Sequence, residues 1–270
     1  MNLFLGSKGH QVRDLQAALN RHGAGLFIDG DFGPLTEAAL MDFQRQFGLV
    51  VDGIAGPKTR KALAGDDCSC LLKESDLVSA AARLGVELAA IKAINEVESR
   101  GSGFFAPGKA AILFERHIMR RRLLLIEGDE DLNGRVASLA RRHPDLVNSR
   151  PGGYAGGLAE YPRLARAKMI EHDAAIESAS WGLFQIMGFH WLALGYATAA
   201  QFEQSMQAGE AAQLDAFVRF IEADPALHKA LKGRKWAAFA RIYNGPAYAR
   251  NLYDTKLARA YSRHKEKAAA

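Results

Sequence analysis

Apolar positions recur at intervals of three and four residues along most of this chain, a spacing that favours amphipathic helices. Alternation typical of strands is scarce, so the chain is predicted to be mainly α. Val12, Leu15 and Leu19 indicate a first helix, and Leu40 and Phe43 indicate a second. Ser75 is expected to cap a short helix that ends near Gly85. Further helices are predicted at 87–99, about 112–127, 132–142, 160–178, 180–194, 198–204, 209–222, 224–232, 235–242 and 246–261.

An internal repeat lies near the start of the chain, where the pattern of residues 29–40 returns at residues 52–63. Each copy contains an Asp-Gly pair, which favours a turn, followed by Gly-Pro. Proline suits the first position of a helix because its missing N–H would have no helical partner there. Together with the helix before the first copy, the repeat predicts a small unit of three helices with short connections.

The motifs of this unit are Gly6-Ser7-Lys8-Gly9, Val12-x-x-Leu15-Gln16, Asp29-Gly30-x-Phe32-Gly33-Pro34-x-Thr36 and Phe43-Gln44. With them, residues 3–64 resemble the type 1 peptidoglycan-binding domain, and the resemblance implies binding to the bacterial cell wall. Asp29, Asp31, Phe32 and Thr36 are the expected ligand contacts, because the first copy keeps an aromatic residue where the second has Ala55.

Length and composition limit the remaining possibilities. A chain of 270 residues favours two domains, and we predict a binding domain at 1–65, a linker at 66–75 and a catalytic domain at 76–270. The net charge of +5 suits an anionic polymer as partner, and no nucleic-acid-binding motif is present. Cys68 and Cys70 supply neither a four-ligand zinc site nor a disulfide framework.

A candidate acid stands at the end of the predicted helix 87–99. Ile91, Ile94 and Glu98 share one helix face, so the Glu98 carboxyl is expected to be desolvated and its pKa raised. Gly101 indicates the helix end, where the negative end of the macrodipole adds to this shift. A carboxyl that keeps its proton near neutral pH can serve as a general acid in glycoside cleavage. The alternative is a structural Glu paired with an arginine.

Two downstream motifs favour the catalytic interpretation. They are Ser180-Trp181-Gly182-Leu183-Phe184-Gln185-Ile186-Met187 and Tyr243-Asn244-Gly245. Behind Glu98-Ser99 they resemble the lysozyme and soluble lytic transglycosylase superfamily, and most of residues 76–262 resembles the N-acetylmuramidase domain of modular phage endolysins. The resemblance implies a lysozyme-like helical fold and cleavage of the β-1,4 bond between N-acetylmuramic acid and N-acetylglucosamine, with Glu98 as the general acid.

A second catalytic carboxylate is less clearly indicated. Glu115 follows an apolar run, so it is either a catalytic group near the cleft or a structural partner of Arg116 and His117. Glu96 is expected to face elsewhere, since it lies roughly 200° around the helix from Glu98. Asp173 and Glu177 are weaker candidates, because they lie on an ordinary charged helix.

The remaining candidates concern substrate binding. Gln185 and Asn244 can bond acetamido and hydroxyl groups, and Tyr243 can stack on a sugar face. Trp181 either stacks on a sugar or packs in the core, with its N–H bonded there. The remaining two assignments are Gly182, which we expect to allow close approach of the backbone to the sugar, and Ser99, which either orients the Glu98 carboxyl or caps the helix. The eight histidines show no metal-binding spacing, so no metal or other cofactor is predicted.

The leading hypothesis is therefore a lysozyme-type muramidase that acts on peptidoglycan as a monomer. A lytic transglycosylase, in which the muramic 6-hydroxyl attacks instead of water, and a non-catalytic wall-binding or phage structural protein remain alternatives. No apolar run of membrane-spanning length and no signal peptide are found in the sequence. The protein is thus expected to accumulate in the host cytoplasm and to reach the periplasmic wall after release.

Overall fold

A computed structural model describes residues 2–99, 101–126 and 131–269. The described chain is mainly helical and has little sheet, which confirms the predicted fold class. It divides into two compact units, of which the first comprises Met1–Gly101 with Pro225–Ala270 and the second comprises Ser102–Asp224. The predicted boundary between a binding domain and a catalytic domain lies inside the first unit, and it stays a prediction.

The helices of the first unit are α1 (His10–Arg21), α2 (Pro34–Gln46), α3 (Pro57–Leu63), α4 (Glu74–Leu84), α5 (Leu88–Glu98), α12 (Pro225–Lys232), α13 (Trp236–Asn244) and α14 (Tyr253–Ala269). The helices of the second unit are α6 (Arg116–Leu123), α7 (Leu132–Arg142), α8 (Glu160–Ile170), α9 (His172–Glu177), α10 (Ala199–Ala208) and α11 (Glu210–Ala223). Its strands are β1 (Phe104–Ala106), β2 (Lys109–Ala110), β3 (Ile112–Phe114), β4 (Ala179–Trp181) and β5 (Ile186–Met187).

Helices α1, α2 and α3 form the three-helix arrangement that the repeat predicts. Pro34 and Pro57 each occupy the start of a helix, and Gly33 and Gly56 are the matching N-cap residues in extended conformation. A hydrophobic core holds the three helices together, with Phe32 at its centre and completely buried. The repeat therefore encodes two equivalent turn-and-helix units.

The segment 66–75, predicted as a linker, contributes to this packing. Leu71 belongs to the core of the three-helix unit, and Cys68 and Cys70 pack partly against it. Both cysteines are free thiols. Helix α4 then begins at Glu74 with Lys73 as its N-cap, so Ser75 lies inside the helix and not at its cap as the sequence suggested.

Helix α5 packs along α14 and buries the apolar face predicted from its spacing. Ile91 and Ile94 are almost fully buried, and the helix ends at Glu98. Two lysines connect these helices with the second repeat. Lys92 donates to the backbone oxygen of Val51 at 2.8 Å, and Lys267 donates to that of Asp52 at 2.8 Å.

The second unit contains a small antiparallel sheet in the order β3-β4-β5. Its register pairs Ile112 with Trp181 and Phe114 with Ala179, and all four residues are buried. The short hairpin between β4 and β5 carries Gly182 and the residues that follow it. This sheet therefore fixes the second motif of the sequence.

The helix predicted at 180–194 is wrong: residues 179–187 form β4, a turn and β5, and a short 3₁₀ helix, Gly188–His190, follows. Three other helical predictions are wrong in part. Residues 112–114 form β3 and pair with β4, because a short apolar run suits a buried strand as well as a helix. The segment 160–178 is interrupted at Glu171, whose backbone is extended. The segment 246–261 begins as a 3₁₀ helix, Pro246–Asn251, before α14. The predicted extension to residue 127 lies outside the described residues.

Candidate active site

Glu98 is the last residue of α5, and its carboxyl is half-buried. The negative end of the helix macrodipole lies at this position. Burial raises the pKa of Glu98 above its usual range, because the charged form loses hydration. The hydrogen bond from Asn244 and the positive charge of Lys256 oppose this effect but do not cancel it. Glu98 therefore has the environment that a general acid requires.

The Tyr243-Asn244 motif lies beside Glu98. The Asn244 side chain at the end of α13 donates a hydrogen bond of 3.0 Å to a carboxylate oxygen of Glu98. Tyr243 is stacked on Phe239, with ring centroids 5.9 Å apart. Burial and the nearby Glu98 raise the pKa of Tyr243 well above its usual value. Its phenol therefore stays protonated, and the first unit brings together three of the residues predicted for the site.

Ser99 and Glu96 lie at the same end of α5 as Glu98. Ser99 is the C-cap of α5 in extended conformation, and its backbone N–H donates to the oxygen of Asn95 at 3.2 Å. Glu96 faces α14, where it accepts from His264 at 2.9 Å and from Arg263. Burial raises the pKa of Glu96, but these two partners outweigh it and the net shift is downward. Glu96 is therefore an ionised structural carboxylate.

Glu115 lies in the second unit as the N-cap residue of α6. Both of its carboxylate oxygens accept from the Tyr154 hydroxyl, at 2.9 and 3.0 Å, and the His117 ring nitrogen lies 3.1 Å away. Arg116 turns away and donates to three backbone oxygens, so it is no partner of Glu115. Tyr154 is a neighbour that the sequence gave no reason to select.

Glu177, the weaker candidate on α9, is a structural carboxylate. It accepts from Arg122 at 2.6 Å and from the Trp191 indole at 2.7 Å, and its side chain is largely buried. Asp173 on the same helix is exposed and lies beside His172.

The β4–β5 hairpin is held by amide side chains. Gln185 has a positive φ of 52°; its amide donates to the backbone oxygens of Gly182 and Ala111 at 2.9 and 3.3 Å, and its oxygen accepts from Ser180 at 2.9 Å. The protein itself thus engages the Gln185 amide that was predicted to meet acetamido groups.

Gly182 serves packing inside the protein. Its φ is +72°, and a Cβ at this position would lie 2.5 Å from the Gln213 side chain. The buried Gln213 accepts from the Leu183 N–H at 2.7 Å and donates to Gly103 and Met206. Gln213 was missed because it lies on an ordinary amphipathic helix, whose pattern gives no sign of a polar partner.

Trp181 belongs to the core and cannot stack on a sugar. It is fully buried, and its indole N–H donates to the Ile176 oxygen at 3.0 Å. Its ring meets Phe202 edge to face. The expectation of sugar stacking is corrected, because position 181 on β4 faces the interior and the core-packing alternative holds.

Comparisons with known proteins identify the family. Residues 87–265 match the model of the N-acetylmuramidase family. The chain belongs to the N-acetylmuramidase family. Residues 8–63 of the muramidase match the peptidoglycan binding domain family. Its structure is similar to the crystal structure of the endolysin of Burkholderia phage AP3, with a TM-score of 0.90 and 50% identity over 98% of this chain and 100% of that one. No curated protein matches the chain.

As a member of this family, the protein is a glycoside hydrolase of the lysozyme type that degrades peptidoglycan. No group of three or more His, Cys, Asp or Glu side chains suited to a metal ion occurs in the ranges that the structure describes. Among the same residues, no helix has the length and apolar character needed to cross a bilayer.

The first repeat of the muramidase borders a groove of about 600 Å³. Asp29, Asp31 and Thr36 all line it, as does the buried Gln16, so three of the four predicted contacts lie together. The fourth, Phe32, is completely buried in the core and cannot touch a ligand, because its side chain fills the space between the helices.

Gln16 organises this turn, and the sequence contained a signal for it. Its amide nitrogen donates to Asp29 at 2.8 Å, to the Asp31 backbone oxygen at 3.1 Å and to Thr36 at 3.2 Å, and its oxygen accepts from the Gly30 N–H at 3.0 Å. The Leu-Gln and Phe-Gln pairs recur one helix before each Asp-Gly turn.

The second copy repeats the same network around Gln44. Its amide nitrogen donates to Asp52 at 2.8 Å, to the Ile54 backbone oxygen at 3.2 Å and to Thr59 at 3.4 Å, while its oxygen accepts from the Gly53 N–H at 3.0 Å. The repeated Asp and Thr of each copy are therefore bonded within their own turn.

Proposed function

We propose that this muramidase is a modular phage endolysin in which Glu98 is the general acid for cleavage of the β-1,4 bond between N-acetylmuramic acid and N-acetylglucosamine. The observation that carries the proposal is the half-buried Glu98 carboxyl at a helix end, with its pKa raised by burial. Its neighbour Asn244 supports the same role, because the amide can hold the carboxylate once the proton has left.

The reaction begins with protonated Glu98. Its proton passes to the glycosidic oxygen while positive charge develops at the muramic C1, and the C1–O bond breaks. The ionised carboxylate is then stabilised by the Asn244 hydrogen bond and the positive charge of Lys256. Water adds to C1 and gives up a proton, which leaves a muramic acid with a free reducing end. Tyr243, protonated beside Glu98, can hold a sugar hydroxyl.

Glu115 is proposed as the second carboxylate, with the task of activating the water. Its support is local, because the Tyr154 hydroxyl holds both carboxylate oxygens and His117 lies 3.1 Å away. This arrangement fixes the carboxylate in one orientation, as a catalytic group needs. Ser99, Gly182 and Gln185 remain proposed contacts of the substrate.

Analysis of the products tests this function. Digestion of purified peptidoglycan should release fragments with reducing-end muramic acid, which borohydride converts to the alditol with a mass increase of two hydrogens. Fragments that end in 1,6-anhydromuramic acid have no free reducing end and resist borohydride. A predominance of anhydro products would replace the hydrolase with a transglycosylase, because the 6-hydroxyl would then have attacked in place of water.

Residues 1–65 are proposed as the wall-binding domain, followed by the connecting segment 66–75 and the catalytic domain 76–270. The support is the groove lined by Asp29, Asp31 and Thr36. Gly33 borders this groove in an extended conformation with no atom within 4 Å of a Cβ, so Gly33→Leu fills the groove without strain. In a co-sedimentation assay with insoluble peptidoglycan, this variant should remain in the supernatant more than the wild type does.

The proposed setting is that of a phage lysis enzyme, which the likeness to a phage endolysin supports. The protein then accumulates in the host cytoplasm and acts on periplasmic peptidoglycan after release, as a monomer that neither inserts into membranes nor binds nucleic acid. Fractionation of expressing cells tests the location, and light scattering tests the oligomeric state.

A further inference from the structure

A second groove, of about 430 Å³, lies between the second repeat and the C-terminal end of α5. The repeat contributes Gly56 at the start of α3, and α5 contributes Asn95, with Ser99 just beyond its end. The volume is in the range of roughly 300–1,000 Å³ that is usual for small-molecule sites. Since Gly33 occupies the equivalent place in the first groove, the two grooves are the same surface of the two repeats, and only the second is extended by α5.

Asn95 gives this groove an unused hydrogen-bonding atom. Its side-chain oxygen is buried and accepts no hydrogen bond from any residue that the structure describes, although Asn95 lines the groove. A buried amide oxygen without a donor costs free energy until a ligand or water supplies one. Asn95 also lies three residues before Glu98 on α5, so the two side chains are neighbours on the helix surface. The groove thus begins within one helical turn of the proposed acid.

The two walls of the groove are held together by lysines from the helical side. Lys92 on α5 donates to the Val51 backbone oxygen at 2.8 Å. Lys267 on α14 donates to the Asp52 backbone oxygen at 2.8 Å and pairs with Glu37 at 2.6 Å. A site shared by two segments of chain needs such fixed walls, because otherwise binding must first bring them together.

We propose that this groove is a glycan subsite that continues the substrate path from Glu98 onto the second repeat. An N-acetyl sugar on one side of the scissile bond lies in the groove and donates its acetamido N–H to Asn95. Every sugar of peptidoglycan carries such a group, so the ligand class is an N-acetylated glycan strand. The inference rests on the function proposed for Glu98 and adds that the second repeat orients the strand for cleavage.

Two matched leucine substitutions in the full-length protein test the subsite. Gly56→Leu fills the second groove, and its backbone is extended with a Cβ that would meet only Asn2, at 3.5 Å. Ala82→Leu is the control, because Ala82 is exposed on α4 and lines neither groove. The substrate is a soluble, peptide-free peptidoglycan octasaccharide, and KM and kcat are measured separately. Asn95→Ala is a third variant, and thermal unfolding confirms that each is folded.

The subsite predicts that Gly56→Leu and Asn95→Ala raise KM about three- to tenfold, the usual effect of one lost hydrogen bond, with little change in kcat. Ala82→Leu should leave both constants unchanged. An unchanged KM in Gly56→Leu, or an equal rise in Ala82→Leu, would overturn the proposal, and if Asn95→Ala does not fold, Gly56→Leu decides.

Failure of the proposed function would give a different result from failure of the subsite. If the wild-type protein does not cleave the octasaccharide, the muramidase mechanism fails and the affinity for the same octasaccharide is measured by calorimetry. Weaker binding in Gly56→Leu but not in Ala82→Leu then supports the subsite, and equal affinities of the two variants contradict it.

Discussion

The amide of Asn244 donates a hydrogen bond of 3.0 Å to the carboxylate of Glu98, and so joins the ends of α13 and α5. This bond favours the ionised form of Glu98, whereas burial favours the protonated form and has the larger effect on its pKa. The pKa of Glu98 is therefore set by two opposing effects. Such a balance suits a group that must give up a proton and regain it in each turnover.

The first prediction concerns the charge of Lys256, which lowers the pKa of Glu98. In Lys256→Gln that charge is lost, so the pKa of Glu98 should rise further. Since the acid must be protonated, activity is lost as pH rises through this pKa, and the alkaline limb of the kcat/KM profile should move to higher pH. Arg259→Gln removes one charge from the same helix and is the control. An alkaline limb that does not move, or moves down, would contradict the assignment.

The second prediction concerns stability and the same carboxyl. The folded state holds the Glu98 proton more tightly than the unfolded chain, because burial raises the pKa of Glu98 above its usual range. The stabilisation from this proton is complete below the unfolded pKa and is lost as pH rises through the folded pKa. Glu98→Gln does not ionise, so its unfolding midpoint should exceed that of the wild type near neutral pH. The difference should shrink towards pH 4, and thermal unfolding at several pH values measures it.

The third prediction separates Glu115 from Glu177. Glu115→Gln should keep the fold and lower kcat by about 10²-fold, at the low end for loss of a catalytic acid–base group. Glu177→Gln weakens bonds to Arg122 and Trp191 and should cost stability of about 1–3 kcal/mol, with activity changing only as the folded fraction does. Full activity in a folded Glu115→Gln protein would assign that carboxylate to structure, and the pair is compared by urea unfolding and turnover on soluble glycan.

The contrast between these carboxylates shows how much of the site could be predicted from sequence. Glu98 could be selected from the sequence for two reasons. Its apolar neighbours and the helix end lie within one short segment of chain, and the motifs that follow it come in a recognisable order. Glu115 remained ambiguous, because its partner Tyr154 lies 39 residues away. No local pattern records such a contact.

Contacts between distant segments of the chain also explain the errors in the predicted secondary structure. Helices were predicted at 112–127 and 180–194 because short apolar runs suit a buried strand and a helix equally well. The pairing of Leu113 with Ser180 decides between them, and it joins segments that are far apart in the chain. Trp181 was left open for the same reason, since only the sheet shows that its side chain faces the core.

The repeat was the most informative pattern in the N-terminal region. It placed α2 and α3 and their turns, because proline and glycine act on the backbone locally. It did not separate ligand contacts from structural residues, since Phe32 fills the core and Gln16 holds the turn.

The fourth prediction tests the role of the two glutamines. Gln16→Leu leaves the buried Gly30 N–H and Thr36 hydroxyl without this partner, and Gln44→Leu does the same to Gly53 and Thr59. Each should cost about 1–3 kcal/mol of unfolding free energy, the usual penalty for unsatisfied buried groups. Urea unfolding of the two variants checks the expectation, and wild-type stability in both would show that solvent replaces these bonds at no cost.

Turnover of purified peptidoglycan by Glu98→Gln tests most directly whether Glu98 supplies the proton. The amide cannot donate the required proton, so the rate should fall by about 10²–10⁴-fold while the circular dichroism spectrum stays that of the wild type. Asp173→Asn, at an exposed carboxylate on α9, is the matched control and should keep wild-type activity. Near-normal turnover by a folded Glu98→Gln protein would contradict the role of Glu98 as the general acid.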